Sequence, residues 1–585
     1  MAEYRKYVSE TAAENITRWL EEPKYAEYRD QLEKMISDER WKDLEDAFFK
    51  VIEFGTAGRR GTTGVGSNRI NRVTVGESTQ ALCLYAKSFD ETAAQKGIVI
   101  ACDTRLSSPE LSKYAACVCA ANGFKTYIFD SFRSTPELSF AVRELGCTAG
   151  IVISASHNPP SDNGFKAFWS DGAQLVAPHD KGVLAMAEAT ETIAVIDFEE
   201  GVHSEQIVII GSEIDDKYHQ AVLAQAEGDA RGVKIVYSPL HGAGQTNTLP
   251  VLQKAGFEVH TVKDQMVPDG NFPTIENGKP NPEEKSANDR AVAEMLALDA
   301  DIAITNDPDA DRIGVIAREG DEAVYLSGNQ SAALATDFAL QKLQQKNILT
   351  SDHYVVKTIV TTDLMRAIAD KYNVKTYGNL LIGFKYIGEL IRLKEGTPEK
   401  FVLGGEESFG MLKGDYARDK DGATGALPLA EYAAELKLHG KTLVDRLYEL
   451  YDEHGLYVER LDTVVCPGAD GFKRMQDVMA RLRTHPPLEL DGEKVTSVID
   501  YLTLEKRELV SDNVSPVDCI SGNVLVLEFG DERRRITVRP SGTEPKLKFY
   551  VQWWQETTDA RRDYPLVAQK LENISRHLEG IALED

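Results

Sequence analysis

The sequence predicts an α/β fold in which several similar domains follow one another along the chain. Its 585 residues are enough for about four domains of ~150 residues each. In three successive regions, short apolar runs typical of buried strands alternate with helical patterns, which favours largely parallel, covered sheets. After about residue 456 the pattern changes to strand-like runs around two helical segments, which indicates a separate α+β domain.

These changes of pattern divide the chain into an N-terminal extension and four domains. Residues 1–50 carry aromatic and leucine side chains at helical spacing, so we expect helices that pack on the first domain. The first two domains are predicted at 51–210 and 211–325, and the last two at 326–455 and 456–585. Each of the four contains at least one of the motifs described below.

Composition and charge exclude several classes of function. Hydrophobic residues make up 42% of the chain and charged residues 27%, as in a globular protein. The formal net charge of −27 argues against a nucleic acid or an anionic membrane as partner. It would also repel an anionic substrate, so any phosphate site must be made locally positive. The seven cysteines include no C-x-x-C pair, and neither a zinc site nor a disulfide framework is expected.

No segment suggests export or membrane insertion. The N-terminus lacks the apolar core of a signal peptide, and no later apolar run is long enough to span a bilayer. We therefore expect a cytoplasmic protein.

The stretch GIVISASHNPPSDNGFKAF, from Gly150 to Phe168, is the first motif. A buried strand is predicted to end just before Ser156 and His157, at the edge where α/β sheets bind ligands. In an extended segment these two side chains point to opposite faces, so His157 would be poorly placed as a base. No G-x-S-x-G motif supports a hydrolase. What remains is a serine exposed on a polar loop, with a simple turn as the alternative.

A glycine-rich segment, EFGTAGRRGTTGVG, precedes the first predicted domain's strands. Its glycines do not follow G-x-G-x-x-G, so a dinucleotide site is not indicated. Glycine at this density lets backbone N–H groups approach an anion, and Arg59 and Arg60 supply positive charge. A flexible loop is the alternative interpretation.

The segment NDPDADRIGVI is the second strong motif. Asp307, Asp309 and Asp311 alternate, so their carboxylates can converge on one side and bind Mg²⁺. A calcium-binding EF-hand would need glycine and glutamate where Arg312 and Arg318 stand. A solvated acidic turn would also fit the pattern, and so would a D-x-D phosphoryl carrier of the haloacid-dehalogenase class.

Three segments toward the C-terminus offer polar side chains at strand ends or turns. GEESFG contributes Glu406 and Ser408, which can share hydrogen bonds with sugar hydroxyls. RDKDGA contributes Lys420. ITVRPSGTEPKLKFYVQ offers a guanidinium, two hydroxyls and a glycine that together match phosphate geometry, although a hairpin turn is the alternative. Its residues are Arg539, Ser541, Gly542 and Thr543.

Together these motifs resemble the α-D-phosphohexomutases, the phosphoglucomutase and phosphomannomutase superfamily. SASHNP resembles the family's active-serine loop, which makes Ser156 the residue carried as phosphoserine, with Ser154 where threonine is usual. DPDADR resembles the metal loop, and FGTAGRRG the N-terminal phosphate-contacting loop, which makes Arg60 the matching arginine. Arg59 stands where an apolar residue is more usual. GEESFG resembles the sugar-specificity loop. RDKDGA resembles the segment whose lysine, here Lys420, lies beside the transferring phosphate. The C-terminal segment resembles the phosphate-binding loop.

The resemblance implies four domains around a central cleft and a phosphoserine mechanism. Phosphorylated Ser156 would donate its phosphoryl group to a sugar monophosphate, and a bisphosphate such as glucose 1,6-bisphosphate would be intermediate and activator. Lys166 or Lys420 would act as general acid or base. The other expected catalytic residues are Arg60, His157 and Arg312. The expected Mg²⁺ ligands are Ser156, Asp307, Asp309 and Asp311. The expected substrate-binding residues are Lys385, Glu406, Ser408, Arg539, Ser541, Gly542 and Thr543.

The resemblance is greatest to a subgroup of phosphoglucomutases that overlaps with phosphopentomutases. Glucose phosphate is therefore the expected substrate, and ribose or deoxyribose phosphate the alternative. The next alternatives are mannose phosphate as the substrate and the synthesis of glucose 1,6-bisphosphate as the activity. A non-catalytic scaffold would be expected to have lost the serine or an aspartate, and none is missing. A monomer is expected, with a weak dimer as the alternative.

Overall fold

The computed structural model describes residues 4–53, 58–466, 471–541 and 545–583. The N-terminal residues form three helices that pack around Trp19, whose ring stacks on Tyr25 at 4.5 Å between centroids. An asparagine, Asn15, ties this group together by donating to the Phe48 carbonyl. The helices are α1 (Glu10–Glu21), α2 (Arg29–Ser37) and α3 (Trp41–Phe48).

The first sheet has six strands in the order β1-β5-β4-β2-β3-β6. Strands β4, β2, β3 and β6 are parallel, whereas β5 runs antiparallel to β4 and β1 antiparallel to β5. The strands are β1 (Arg59–Thr62), β2 (Ile98–Cys102), β3 (Thr126–Phe129), β4 (Ala149–Ile153), β5 (Asp162–Trp169) and β6 (Ile207–Ile210). The helices are α4 (Arg72–Phe89), α5 (Ala93–Lys96), α6 (Ser108–Ala121), α7 (Thr135–Glu144), α8 (His179–Glu188) and α9 (Phe198–His203).

The second sheet repeats this plan with five strands in the order β11-β10-β9-β7-β8. Strands β9, β7 and β8 are parallel, and β10 returns antiparallel beside β9. The strands are β7 (Lys234–Ser238), β8 (Glu258–Thr261), β9 (Ile302–Asn306), β10 (Ile313–Glu319) and β11 (Glu322–Leu326). The helices are α10 (Ser212–Leu223), α11 (Thr248–Lys254) and α12 (Lys285–Ala297).

The third sheet has four strands in the order β13-β12-β14-β15, of which only β15 is antiparallel. The strands are β12 (His353–Thr358), β13 (Lys375–Leu380), β14 (Lys400–Gly405) and β15 (Met411–Lys413). The helices are α13 (Gly328–Gln345), α14 (Leu364–Lys371), α15 (Phe384–Lys394), α16 (Gly422–Lys437) and α17 (Leu443–His454).

The C-terminal domain has a seven-stranded antiparallel sheet in the order β16-β24-β23-β22-β19-β20-β21. Two short strands, β17 and β18, form a separate pair. The strands are β16 (Leu456–Val465), β17 (Glu489–Leu490), β18 (Glu493–Lys494), β19 (Ser497–Asp500), β20 (Glu505–Glu508), β21 (Val514–Pro516), β22 (Leu525–Glu528), β23 (Arg535–Pro540) and β24 (Lys546–Gln555). The helices are α18 (Gly471–Thr484) and α19 (Ala560–Leu583).

The three α/β sheets place their functional loops in the same way. Strands β4 and β9 are buried along their whole length, and β14 is buried over its last four residues. Each ends in a tight loop before the next strand returns antiparallel beside it. The loops β4–β5, β9–β10 and β14–β15 therefore leave the carboxyl edges of their sheets, where α/β proteins bind ligands. The predicted fold class, three similar α/β domains with mixed sheets and a C-terminal α+β domain, is confirmed. Within the described residues, every helix is too short or too polar to cross a bilayer.

Candidate active site

A cavity of about 560 Å³ lies where the four domains meet. Its lining includes Ser156 from β4–β5, Asp311 from β9–β10 and Glu406 from β14–β15. The C-terminal domain closes it with Arg539 and Lys548, from the adjacent strands β23 and β24. Residues from distant parts of the chain thus share one cleft.

The serine loop is not extended, and two expectations about it are wrong. Ser156 has a positive φ of 52°, in the left-handed region, so its side chain does not alternate with the next one. As a result Ser156 Oγ lies 3.1 Å from His157 Nδ1, although the two side chains were expected to diverge. The serine is also only 2% exposed and not on an open polar loop.

A buried serine takes the place of the family's usual threonine in shaping this loop. The Ser154 hydroxyl accepts a hydrogen bond of 2.8 Å from the Ser156 backbone N–H. Such a side-chain turn stabilises the sharp bend that follows the strand. The substitution keeps the hydroxyl, and with it the interaction that fixes Ser156.

Arg105 holds the same loop through its guanidinium group. The sequence did not predict this role. The guanidinium of Arg105 donates to four carbonyl oxygens of the loop, at 2.5 to 2.9 Å, and the residue is 1% exposed. The acceptors belong to Ser156, Asn158, Pro159 and Asp162. The signal was available in DTRLSS, a polar turn directly after strand β2, but its partners are some 50 residues away and only the fold brings them together.

The three aspartates of the β9–β10 loop converge beside the serine. One carboxylate oxygen from each of Asp307, Asp309 and Asp311 lies within 4.8 Å of the others, and all three residues are buried. Ser156 Oγ donates to Asp307 Oδ2 at 2.6 Å. Burial, with the negative charges of Asp311 and Asp309, raises the pKa of Asp307 well above its ordinary value.

This triad has the donors of a metal site. Asp309 Oδ1 and Asp311 Oδ1 are buried without a hydrogen-bond partner among the described residues. Three converging carboxylates are hard oxygen ligands for a divalent cation, which would also relieve their mutual repulsion. The expectation that the alternating aspartates meet on one side is confirmed.

Two lysines neutralise part of the triad's charge. Lys166 Nζ on β5 lies 2.5 Å from Asp309 Oδ2, and Lys420 Nζ lies 2.8 Å from Asp311 Oδ2. Burial disfavours the charged form of Lys420, but Asp311 and Asp419 outweigh it and raise its pKa above the ordinary value. Lys420 therefore keeps its proton at neutral pH.

Two arginines flank the serine. Arg60 lines the cavity from β1 and donates to Asn158 Oδ1 at 3.3 Å. Arg312 is held by Glu283, a second residue that the sequence analysis missed, through a contact of 2.8 Å. Burial, then Arg312 and Arg60, lower the pKa of His157 well below its ordinary value, so its imidazole is neutral.

The β14–β15 loop and helix α15 form another wall of the cavity. Glu406 and Ser408 line it together with Lys385 from the first turn of α15. Burial raises the pKa of Glu406 to about 8; Lys420 opposes this shift and Glu407 adds to it. A carboxyl group in that state can both donate to and accept from a sugar hydroxyl.

The C-terminal domain brings cations to the far wall. Arg539 and Lys548 are cross-strand neighbours, and both line the cavity. Lys548 was missed, although it alternates with apolar residues in KLKFY as strand residues on one face do. Ser541 lies just past β23, where its backbone N–H donates to the Lys546 carbonyl. Gly542 and Thr543 lie outside the described residues.

Comparison with known proteins identifies three domains of this chain. The phosphoglucomutase/phosphomannomutase alpha/beta/alpha domain I matches residues 51–194, domain II residues 216–320 and domain III residues 327–454. A phosphoglucomutase of Staphylococcus aureus is 34% identical over 519 residues, which cover 88% of this chain and 92% of the relative.

Solved structures share the fold at lower identity. A phosphoglucomutase/phosphomannomutase family protein from Burkholderia thailandensis is 18% identical, with a TM-score of 0.62 over 88% of this chain and 96% of that one. The open form of the Paramecium phosphoprotein pp63/parafusin is 17% identical, with a TM-score of 0.64 over 90% and 96%.

The family matches and the curated relative confirm the resemblance that the motifs predicted. They cover the segments with the serine, the three aspartates and Lys420. This chain belongs to the phosphoglucomutase/phosphomannomutase family of α-D-phosphohexomutases and is a phosphotransferase of the mutase class, an isomerase.

Proposed function

We propose that this protein interconverts glucose 1-phosphate and glucose 6-phosphate, with Ser156 as the phosphoryl carrier. The observation that carries the proposal is the contact of 2.6 Å between Ser156 Oγ and Asp307, at the floor of a cleft with cationic walls. The Staphylococcus aureus relative named phosphoglucomutase supports glucose as the sugar.

The transfer is a pair of substitutions at phosphorus. In the first, the bond between phosphorus and Ser156 Oγ breaks while a bond forms to the free hydroxyl oxygen of the sugar monophosphate. The product is glucose 1,6-bisphosphate. In the second, Ser156 Oγ takes the other phosphoryl group, and the isomeric monophosphate leaves. Such transfers depend mainly on positioning and on neutralising phosphate charge.

The aspartates are proposed to bind Mg²⁺ together with the oxygen of Ser156 or its phosphate. Asp307, Asp309 and Asp311 supply three hard ligands, which suits a cation that keeps its other positions for water and phosphate. When bound there, the ion supplies positive charge to the phosphate that is transferred.

The basic side chains near Ser156 are proposed to have separate roles in the transfer. Lys420 keeps its proton and is suited to stabilise the transferring group and to donate a proton to the departing oxygen. His157 Nδ1 lies 3.1 Å from Ser156 Oγ, so it is placed to exchange the proton that this oxygen gains or loses in each step. Arg60 and Arg312 would contact the phosphate oxygens from either side, while Lys166 orients Asp309.

The bisphosphate must present each of its phosphates to Ser156 in turn. The phosphate that is not reacting therefore needs a site at the other end of the cleft. We assign that site to Arg539 and Lys548, with Ser541, Gly542 and Thr543 in the adjoining segment. Glu406, Ser408 and Lys385 would contact the sugar between the two ends. Free glucose 1,6-bisphosphate would also phosphorylate Ser156 and so activate the enzyme.

Substrate competition tests the choice of sugar. We expect kcat/KM for glucose 1-phosphate to exceed that for ribose 1-phosphate and mannose 1-phosphate by ~10-fold or more, about 1.4 kcal/mol of transition-state discrimination. The assay contains Mg²⁺ and glucose 1,6-bisphosphate, with the Ser156→Ala variant as the blank. A preference for ribose 1-phosphate would make the protein a phosphopentomutase and refute the proposed substrate.

A further inference from the structure

Residues 4–50, here called the N-terminal layer, lie against the turn that follows β1, the strand that carries Arg60. The family matches begin at residue 51, so the layer lies before them. It has its own apolar core around Trp19, and the partly buried Val65, just after β1, packs against that core. The layer is therefore attached at the edge of the first sheet, directly behind one wall of the cleft.

The end of helix α3 binds the turn that follows β1. The Ala47 carbonyl accepts a hydrogen bond of 2.9 Å from Asn68 N–H, and Arg69 lies 2.5 Å from Asp46. Gly66, with φ at 137°, approaches so closely that an added Cβ would lie 2.5 Å from the Ala47 carbonyl oxygen. A side chain at position 66 would therefore not fit between the layer and this turn.

A chain of three charges joins the layer to β1 itself. Lys24 of the layer contacts Glu77 of α4 at 3.0 Å, and the other carboxylate oxygen of Glu77 lies 3.6 Å from Arg59. Arg59 also donates to the Thr74 carbonyl at 2.9 Å and is 3% exposed. A buried arginine needs such compensation, because an unpaired charge away from water is costly.

Arg59 and Arg60 are neighbours on one short strand, so their side chains point to opposite faces. Arg60 faces the cavity. The antiparallel pairing with β5 holds β1 in register, and the two backbones are close here, since an added Cβ on Gly164 would lie 2.9 Å from the Arg59 carbonyl oxygen. Fixing the Arg59 side chain on one face therefore fixes the direction of Arg60 on the other.

We propose that the N-terminal layer positions the active site by holding Arg60 against the phosphate that is transferred, through Lys24, Glu77 and Arg59. This inference rests on the proposed function, in which Arg60 contacts phosphate. Lys24 and Glu77 are then positioning residues, which act through Arg59 and touch no substrate.

The test compares Lys24→Met with Lys24→Arg and with Lys34→Met, a change at an exposed lysine of the same layer. We expect Lys24→Met to lower kcat and to raise Kd for inorganic phosphate ~5-fold while KM for glucose 1-phosphate changes less than ~2-fold, because Arg60 contacts the phosphate that is transferred whereas Arg539 and Lys548 hold the substrate's own phosphate. Lys24→Arg, which keeps the positive charge, should have both constants close to the wild-type values. Lys34→Met should leave them unchanged. Phosphate binding, measured by calorimetry, requires no turnover.

A double-mutant cycle distinguishes positioning from general stability. If Lys24 acts through Arg60, Lys24→Met should add no further loss of phosphate affinity in an Arg60→Met background. A lower melting temperature with unchanged kcat and Kd, or an equal loss in both backgrounds, would overturn the inference. If Lys24→Met does not fold, Lys24→Gln, which removes the same charge but keeps a polar side chain beside Glu77, gives the same comparison.

The two proposals can fail separately. If the wild-type protein does not isomerise glucose 1-phosphate but the variants still change phosphate affinity as described, the proposed function fails and the positioning role stands. If turnover is normal and Lys24→Met does not change the phosphate affinity, only the positioning role fails.

Discussion

The two ends of the cleft are built differently. At the reaction end, Ser156 is 2% exposed and Asp307, Asp309 and Asp311 are fully buried, each in contact with a named partner. At the opposite end, Arg539 and Lys548 are half-buried and face the cavity. The reaction end has one fixed geometry, whereas the opposite end retains room for ligands of different orientation.

This difference follows from what each end has to do. Phosphoryl transfer requires the reacting atoms to be held within a few tenths of an ångström, which close packing and paired charges provide. The opposite end must receive a phosphate attached to either carbon of the sugar. Half-buried, long cationic side chains suit that task, because they adapt to the ligand. Mutations at the two ends should therefore have effects of different size and kind.

The largest effect is expected for Ser156→Ala. The carrier oxygen is lost, so kcat should fall by at least ~10⁴-fold, while the two lost hydrogen bonds cost only about 1 to 3 kcal/mol of stability. Turnover and intact mass after incubation with glucose 1,6-bisphosphate measure both the activity and the phosphoserine. Ser408→Ala, in the same cavity, is the control and should lose far less. Normal turnover of Ser156→Ala would refute the phosphoserine mechanism.

A smaller but still large effect is expected for Asp309→Asn. It removes one charged ligand and the partner of Lys166, so the Mg²⁺ concentration for half-maximal activity should rise roughly 10²-fold. Activity measured against Mg²⁺ concentration, together with direct Mg²⁺ binding, provides the test. Asp321→Asn, at an exposed aspartate of the same domain, should behave as wild type. Unchanged Mg²⁺ dependence in Asp309→Asn would exclude the triad as the metal site.

At the opposite end, Lys548→Ala should act mainly on binding. Losing one charge-assisted hydrogen bond to a phosphate should raise KM about 10-fold and leave kcat within ~3-fold. Steady-state kinetics with glucose 1-phosphate separate the two constants, and Lys494→Ala, at an exposed lysine of the same domain, is the control. If kcat falls ~10-fold or more while KM is unchanged, the division between a fixed and an adaptable end is wrong.

The smallest effect is a pH dependence that arises from Glu406. Its pKa is raised to about 8, so the side chain is neutral below that pH and gains a negative charge above it. The charged form repels a phosphorylated substrate, so wild-type KM should rise a few-fold between about pH 7 and about pH 9. Glu406→Gln cannot ionise and should flatten this rise. Glu322→Gln, at an exposed glutamate, should keep it, and a parallel rise in all three proteins would assign the effect to another group.

Features that depend on short stretches of sequence could be predicted. Strand and helix alternation indicated the three α/β domains, and the spacing of Asp307, Asp309 and Asp311 indicated their convergence, because neighbours in one tight loop need no distant information. The position of the Ser156 side chain could not be predicted in this way. It depends on a left-handed backbone conformation that no residue type in SASHNP demands.

Contacts between distant segments were missed for a related reason. Arg105 binds a loop some 50 residues further along, and Glu283 holds Arg312 from the segment just before helix α12. Neither role could be predicted, because the partners become neighbours only once the sheets are formed. The assignments of Lys385, Glu406, Ser408 and Arg539 to the substrate stay predictions, although all four line one cavity.

The three equivalent loops have a consequence for the newly made chain. The residues of each loop belong to one α/β unit, although contacts such as that of Ser156 with Asp307 join the loops. The cleft also needs β23 and β24, and β24 pairs with β16 across some 90 residues of sequence. A growing polypeptide can therefore fold its serine loop, its aspartates and its GEESFG turn long before it can enclose a sugar phosphate. Catalytic competence should arise late in synthesis, with the last strand, so truncated chains would retain folded units without being active enzymes.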